Sequence, residues 1–381
     1  MHPIVILGSG LAGYGLLREI RKRHKDVPVT VITADDGRAY TKPNLSNALA
    51  QGRTAEQLAS QTAAQVAEAQ NARVLTYTRV TAMDPARRVV VTDKGDVTYD
   101  KLVLALGADP IPHGLAGSGA EEVLHVNDLA DYTRFRAELE GKRHVAILGG
   151  GLIGCEFAND LAATGHEVTV VHLGLWPLER LVPETMGRGL ADDLGQKGVA
   201  WRFGRTAKTV DRTPAGLRLT LDDGSQLEAD LVLSAIGLRS RTALAVAAGL
   251  DVGRGIRVDR QLGTSDPHIH AVGDCAEVEG LVLPFVQPLL AQVKALAATL
   301  TGAPTRVTYP VMPVVVKTPA SPLVVLPPPQ GVSGSWRMEE HEGGRRGLFQ
   351  DEEGRLAGFA LTGSQTGERL KLAQSVAPLL A

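Results

Sequence analysis

Ile4-Val5-Ile6-Leu7-Gly8-Ser9-Gly10-Leu11-Ala12-Gly13 stands near the start of the chain, and Val145-Ala146-Ile147-Leu148-Gly149-Gly150-Gly151-Leu152-Ile153-Gly154 repeats its pattern 141 residues later. In each copy four apolar residues read as a buried strand, and the glycines read as a tight turn into a helix. The first glycine permits the sharp turn, the second lets the backbone approach a pyrophosphate, and the third lets the helix pack on the strand. The helix N-terminus then offers free N–H groups and its dipole to the anion. One such motif is a weak signal. Two, each in strand and helix context, point to a chain that holds a pair of dinucleotides.

The repetition extends past the glycines. Lys101-Leu102-Val103-Leu104-Ala105-Leu106-Gly107-Ala108-Asp109-Pro110 closes the first unit, and Asp230-Leu231-Val232-Leu233-Ser234-Ala235-Ile236-Gly237-Leu238-Arg239 closes the second. Tandem nucleotide-binding units are the economical reading, and the expected class is α/β with two Rossmann-like three-layer domains. A length of 381 residues suits two or three domains. With charged residues at 22 % and a formal net charge of −2, no global field favours nucleic acid, an anionic membrane or a polyanionic substrate. Cys155 and Cys275 belong to no CxxC or Cys/His cluster, so neither a disulfide scaffold nor a structural metal is expected. That cysteine usage fits a reducing cytoplasm. Met1-His2-Pro3 lacks the basic head of a signal sequence, and no apolar run reaches the length of a spanning helix.

In the first unit a helix is expected over 11–22 and a strand over 29–32, with the strands around 74–76 and 88–91 forming a small sheet. In the second, a helix over 154–164 leads to a strand over 167–171, and Asp222-Asp223-Gly224 marks a hairpin. Ile269-His270-Ala271-Val272-Gly273-Asp274 reads as a strand delivering an aspartate at a glycine turn; with the apolar helix over 288–300 it is expected to fold back onto the first unit. From Tyr309 onward, β-branched residues and prolines predict a separate β-rich module closed by a helix over 368–376. The expected domains are 1–109 with 240–308, then 110–239, then 309–381.

Together these four motifs, in this order, resemble the FAD-dependent pyridine nucleotide oxidoreductases. The resemblance implies a glutathione-reductase-like arrangement in which the first motif and Gly273-Asp274 hold FAD and the second motif holds NAD(P)H. The loop Tyr40-Thr41-Lys42-Pro43-Asn44-Leu45-Ser46 has no cysteine where the disulfide reductases carry their redox pair. In this it resembles the branch that reduces iron–sulfur proteins and rubredoxins. Val316-Lys317-Thr318-Pro319 and the later prolines are similar to rubredoxin–NAD(+) reductases of the alkane-oxidation type.

That likeness assigns FAD to Ser9, Gly10, Leu11, Ala12, Thr33, Ala34, Lys42, Val80, Glu156, Asp274, Val286 and Lys317, and NADH to Gly149, Gly151, Gly154 and His172. Lys42 would place a cation beside flavin N5, and Glu156 would meet the flavin edge while pairing with Lys42; these two are the expected catalytic residues. Lys317 would neutralise the N1–C2 oxygen region of the reduced flavin anion. Asp274 would accept hydrogen bonds from the ribityl chain. Val80 and Val286 would act through their main chains. The acid that normally ends the second strand of a Rossmann unit is missing twice. In the first unit Thr33 and Ala34 would hold the ribose with Asp35 as helper; in the second, a neutral His172 would donate to a ribose hydroxyl whereas a protonated one would welcome a 2′-phosphate, and the lack of an arginine directly after it favours NADH.

The implied reaction is hydride transfer from NADH to FAD, then single-electron delivery to rubredoxin at a rim for which Lys317, Arg345 and Arg346 are candidates. Ferredoxin or flavorubredoxin is the alternative acceptor, and a flavin-bearing sensor without turnover is the alternative outside catalysis. Monomer and dimer both fit the sequence.

Overall fold

The structure is a computed structural model that describes residues 3–381. Met1 and His2, which belong to the stretch read against a signal sequence, lie outside the described residues.

The first glycine turn follows β1 (Ile4–Leu7) and leads into α1 (Leu11–Arg23), which returns the chain to β2 (Val29–Ile32). All four residues of β1 are buried, as an inner parallel strand covered on both faces requires. Next come β3 (Arg73–Leu75) and β4 (Lys101–Leu104). The second unit repeats the plan with β5 (His144–Leu148), α2 (Leu152–Ala163), β6 (Glu167–His172), α3 (Glu184–Gly195), β7 (Val199–Phe203) and β8 (Leu231–Ser234). Its sheet runs β7-β6-β5-β8, all parallel.

The expected return to the first unit is present. β9 (Ile269–Ala271) pairs in parallel with β4, which completes a five-stranded sheet in the order β9-β4-β1-β2-β3. α4 (Val286–Leu300) then packs across α1. One apolar cluster runs through both segments, joining Ile6, Leu17 and Val103 to Val272, Val293 and Leu296. The strand around 74 departs from the sequence reading: β3 is the edge of the main sheet, with Val31 opposite Val74. The small antiparallel sheet is built from Val80–Asp84, Val89–Thr92 and Val97–Thr98 instead. Turn chemistry alone could not tell which sheet the short strand would join.

The C-terminal stretch forms β10 (Val314–Val316), β11 (Leu323–Leu326), β12 (Gly334–His341), β13 (Gly344–Asp351) and β14 (Leu356–Thr362), an antiparallel sheet in the order β10-β11-β14-β13-β12. It is fastened to the second unit by an apolar cluster that joins Val316, Leu323 and Val325 to Phe157, Met186 and Leu190, and by polar contacts beside it. Ser321 donates to Asp193 at 2.6 Å, and the Ala320 N–H donates to Asn159 at 3.1 Å. Among the described residues no helix is long and apolar enough to cross a membrane.

Candidate active site

Gly8 (φ +118°) and Gly149 (φ +103°) occupy the left-handed region that L side chains avoid. A Cβ on Gly13 would lie 1.8 Å from the Gly8 carbonyl oxygen, and one on Gly154 would lie 1.9 Å from that of Gly149, so helix packing forbids any side chain at either place. Gly10 and Gly151 differ. Their backbones (φ −69°, ψ −171° and φ −80°, ψ −170°) suit any residue, and a Cβ at either would meet nothing within 4 Å. The fold itself does not require glycine there. What it leaves is an open cradle in front of each helix N-terminus, shaped for a pyrophosphate, and the residues present therefore fit a dinucleotide at both turns.

Both cradles open into one continuous cleft of about 2140 Å³. This exceeds the roughly 300–1,000 Å³ of a single small-ligand site. In the first unit, the Thr33 hydroxyl donates to Asp35 Oδ1 at 2.6 Å, and the Ser9 hydroxyl lies 3.0 Å from Thr33 Oγ1 and 3.3 Å from that same carboxylate oxygen. Asp35, two residues beyond the strand-end position, thus brings an acid to the place where a ribose acceptor is expected. Asp274 follows Gly273 (φ +81°), whose N–H donates to the buried Gln292 at 2.6 Å; Gln292 in turn donates to Tyr309 at 2.7 Å. The Asp274 carboxyl is raised by burial, countered by the Lys42 cation. Burial likewise lowers Lys42, countered chiefly by Asp274. Each of the two groups loses hydration at the cleft wall, and the charge of the other offsets part of that loss.

The expected partnership of Lys42 with Glu156 is not what the structure contains. Lys42 donates to Asn127 Oδ1 at 2.7 Å, and Asn127 is itself fixed by donating to the Ala108 carbonyl at 3.1 Å. Glu156 pairs with Lys317 at 2.6 Å. The Ser46 hydroxyl donates to the same Glu156 oxygen at 2.5 Å, and the Lys317 backbone N–H donates to the other at 3.2 Å. Lys317 also donates to Ser46 Oγ at 2.8 Å and to the Pro43 carbonyl. The reason lies in the docking of the C-terminal sheet. The end of β10 delivers Lys317 to Glu156 in the first turns of α2, while Lys42, at the start of a 3-10 turn (Lys42–Asn47), is held by Asn127.

In the second unit, His172 Nδ1 accepts the Gly150 N–H at 3.1 Å. That bond leaves the ring's hydrogen on Nε2 in the neutral form, and burial holds His172 below its usual pKa. Its Nε2 is buried. The imidazole braces the glycine turn. Glu179 lies beside it, accepting the Leu175 N–H at 2.9 Å.

Of the residues assigned from sequence, Ser9, Gly10, Leu11, Ala12, Thr33, Lys42, Glu156, Asp274, Val286, Lys317, Gly149, Gly151 and His172 line the cleft. Ala34, Val80 and Gly154 do not. Ala34 is exposed beyond β2, Val80 packs against the main apolar cluster, and Gly154 is spent on helix packing. Arg345 and Arg346 are also away from the cleft. They pair with Glu340 and Glu339 across the β12–β13 hairpin, and a Cβ on Gly189 of α3 would meet the Arg345 guanidinium at 2.8 Å, so their charges already have partners. Asn127, Ser46 and Glu179 were not singled out by sequence. Only Ser46 carried a signal, its place in the cysteine-free loop. Both cysteines are free and fully buried, with Cys275 pushed up to about 11 and Cys155 raised further by desolvation. Neither is poised for thiol chemistry.

Residues 2–297 match the pyridine nucleotide-disulphide oxidoreductase family, and residues 306–376 match the rubredoxin binding C-terminal domain. The chain is 50 % identical over 381 residues to the rubredoxin-NAD(+) reductase of Alcanivorax borkumensis, with 98 % of each chain covered. It is 41 % identical over 365 residues to the nitric oxide reductase FlRd-NAD(+) reductase of Aeromonas hydrophila, covering 96 % of this chain and 94 % of that one. Among solved structures, a ferredoxin reductase from Rhodopseudomonas palustris superposes with a TM-score of 0.88 at 26 % identity, over 99 % of this chain and 96 % of that one.

Proposed function

The chain belongs to the pyridine nucleotide-disulphide oxidoreductase family, and from that premise we propose that it passes electrons from NADH through FAD to rubredoxin, one electron at a time. The observation that carries this reading is the single cleft into which both glycine cradles open, closed on one side by a C-terminal sheet of the rubredoxin-binding kind. When bound, FAD supplies the conversion between a two-electron donor and a one-electron acceptor.

The chain's own residues then bind, orient and tune. The turns at Gly8–Gly13 and Gly149–Gly154 would seat the two pyrophosphates against α1 and α2. Ser9, Thr33 and Asp35 would hold the FAD ribose, and Asp274 the ribityl chain. Lys42, positioned by Asn127, and Lys317, positioned by Glu156 and Ser46, would present two cations where negative charge builds on reduction. The assignment of residues 1–109 with 240–308 to FAD, 110–239 to NADH and 309–381 to the acceptor is supported by the two parallel sheets and the C-terminal antiparallel sheet. An alkane-hydroxylating system is the proposed consumer, in a cytoplasmic setting.

The test is anaerobic mixing of the flavin-loaded protein with NADH, followed by rubredoxin, ferredoxin or flavorubredoxin in parallel. Rapid bleaching of the flavin and fastest reoxidation by rubredoxin are expected. A yellow protein that NADH does not bleach refutes the reading; faster reoxidation by flavorubredoxin moves the chain to the acceptor named for its Aeromonas relative.

A further inference from the structure

The second nucleotide unit lacks a carboxylate at the end of β6, where His172 stands, and yet the cleft has one close by. β6 runs into the segment Leu173-Gly174-Leu175-Trp176-Pro177-Leu178-Glu179, which doubles back on the glycine turn. Three hydrogen bonds fix that return: Gly150 N–H to His172 Nδ1 at 3.1 Å, Leu178 N–H to the Gly150 carbonyl at 2.9 Å, and Leu175 N–H to Glu179 Oε2 at 2.9 Å. Glu179 is thereby folded over the two residues that follow His172. A Cβ on Gly174 would lie 2.3–2.5 Å from the three atoms of its carboxyl group. His172, Gly174 and Glu179 all line the cleft with Gly149, Gly150 and Gly151.

We propose that Glu179 is the residue that selects NADH over NADPH, taking over from seven positions downstream the task of the missing strand-end acid. The proposal rests on the reading that this cleft receives a reduced nicotinamide dinucleotide. His172 is a poor candidate for the task because its Nδ1 is committed to Gly150 and its Nε2 is buried. Glu179 is exposed at the cleft and has one carboxylate oxygen committed to Leu175, which leaves Oε1 for the hydroxyls of an adenosine ribose. A 2′-phosphate at the same place would meet the fixed negative charge of that carboxylate. Two arginines border the site and could reverse this. Arg205 is tied to Asp223 at 2.6 Å, which leaves Arg180 as the cation nearest in sequence. With the carboxylate removed, these guanidinium groups would favour the phosphate.

The experiment compares wild type with Glu179→Gln. The amide oxygen of glutamine can still accept the Leu175 N–H, so the turn keeps its hydrogen bond and only the charge is lost. Dissociation constants of NAD(+) and NADP(+) for the flavin-loaded, oxidised protein are measured by calorimetry, and flavin bleaching by NADH and NADPH is followed by stopped flow. For the variant, the ratio of NADP(+) to NAD(+) affinity is expected to rise by about 10- to 100-fold, with NADP(+) binding tighter in absolute terms. A residue that merely shaped the turn would weaken both nucleotides together, so parallel losses or an unchanged ratio overturn the proposal. Wild-type protein that neither nucleotide bleaches overturns the underlying reading as well, which separates that failure from this one.

Discussion

Replacing Lys317 by methionine and Glu156 by glutamine, singly and together, tests whether the buried pair between them couples the C-terminal sheet to the helix that starts at the second glycine turn. Only 8 % of the Glu156 side chain and 27 % of the Lys317 side chain are exposed, at a separation of 2.6 Å. Lys317→Met strands a buried carboxylate that retains two donors, the Ser46 hydroxyl and the residue-317 N–H. Stranding one member of a buried pair costs roughly 3–5 kcal/mol, and the surviving donors place this case near the low end, about 3 kcal/mol. Glu156→Gln costs less, about 1–2 kcal/mol, because the partly exposed ammonium keeps the Pro43 carbonyl and Ser46. The double variant has neither charge to strand. It should therefore lose about 1.5–3 kcal/mol less than the sum of the singles. Urea unfolding of the flavin-loaded protein, followed by far-ultraviolet circular dichroism, measures all three losses. Additivity within about 0.5 kcal/mol would show that the two side chains do not depend on each other and would refute the clamp.

A second expectation concerns pH. Burial, with Lys101 adding to it, depresses His270 to about 4. The unfolded chain binds a proton near pH 6.5 that the folded chain refuses until about 4, so stability is full above 6.5 and falls through that window, by about 3 kcal/mol in all. His270→Leu should flatten that part of the stability–pH curve, and an identical slope in wild type and variant counts against the assignment. The glycines separate by role. Gly13→Ala, with its Cβ 1.8 Å from a carbonyl oxygen, should fail to accumulate as folded protein, whereas Gly10→Ala should fold normally and emerge largely without flavin. A fully yellow Gly10→Ala protein contradicts the cradle. Lys42→Ala should retain FAD yet show flavin reduction slowed by about 10- to 100-fold in stopped flow, by loss of a cation at the site of developing charge. Unchanged kinetics remove the residue from the mechanism.

Much of the architecture is written locally. Runs such as Val145–Leu148 and the glycines after them constrain only their own few residues, so strand, turn and helix follow from neighbours in the chain. The return of β9 to the first sheet was expected because the family resemblance sets Gly273-Asp274 beside the first glycine turn. Pairings between distant side chains were not legible. Sequence supplied two lysines and one glutamate, but which lysine reaches Glu156 depends on how the C-terminal sheet docks, and that contact spans 161 residues. Asn127 holds Lys42 across 85 residues from a position with no motif of its own. The sheet joined by the strand at 73–75 and the ion pairs of Arg345 and Arg346 were hidden in the same way. Each depended on a partner chosen by tertiary packing.

Because β9 lies beside β4, the first sheet receives its last strand only after the whole second unit has been made. A nascent chain leaving the ribosome therefore holds the opening glycine turn, α1 and β4 in an unfinished sheet with an unpaired inner edge while residues 110–268 emerge. Asp274 and α4 arrive later still. Flavin uptake thus becomes a late event in biogenesis, and the interval before it is when the chain most needs protection from clumping.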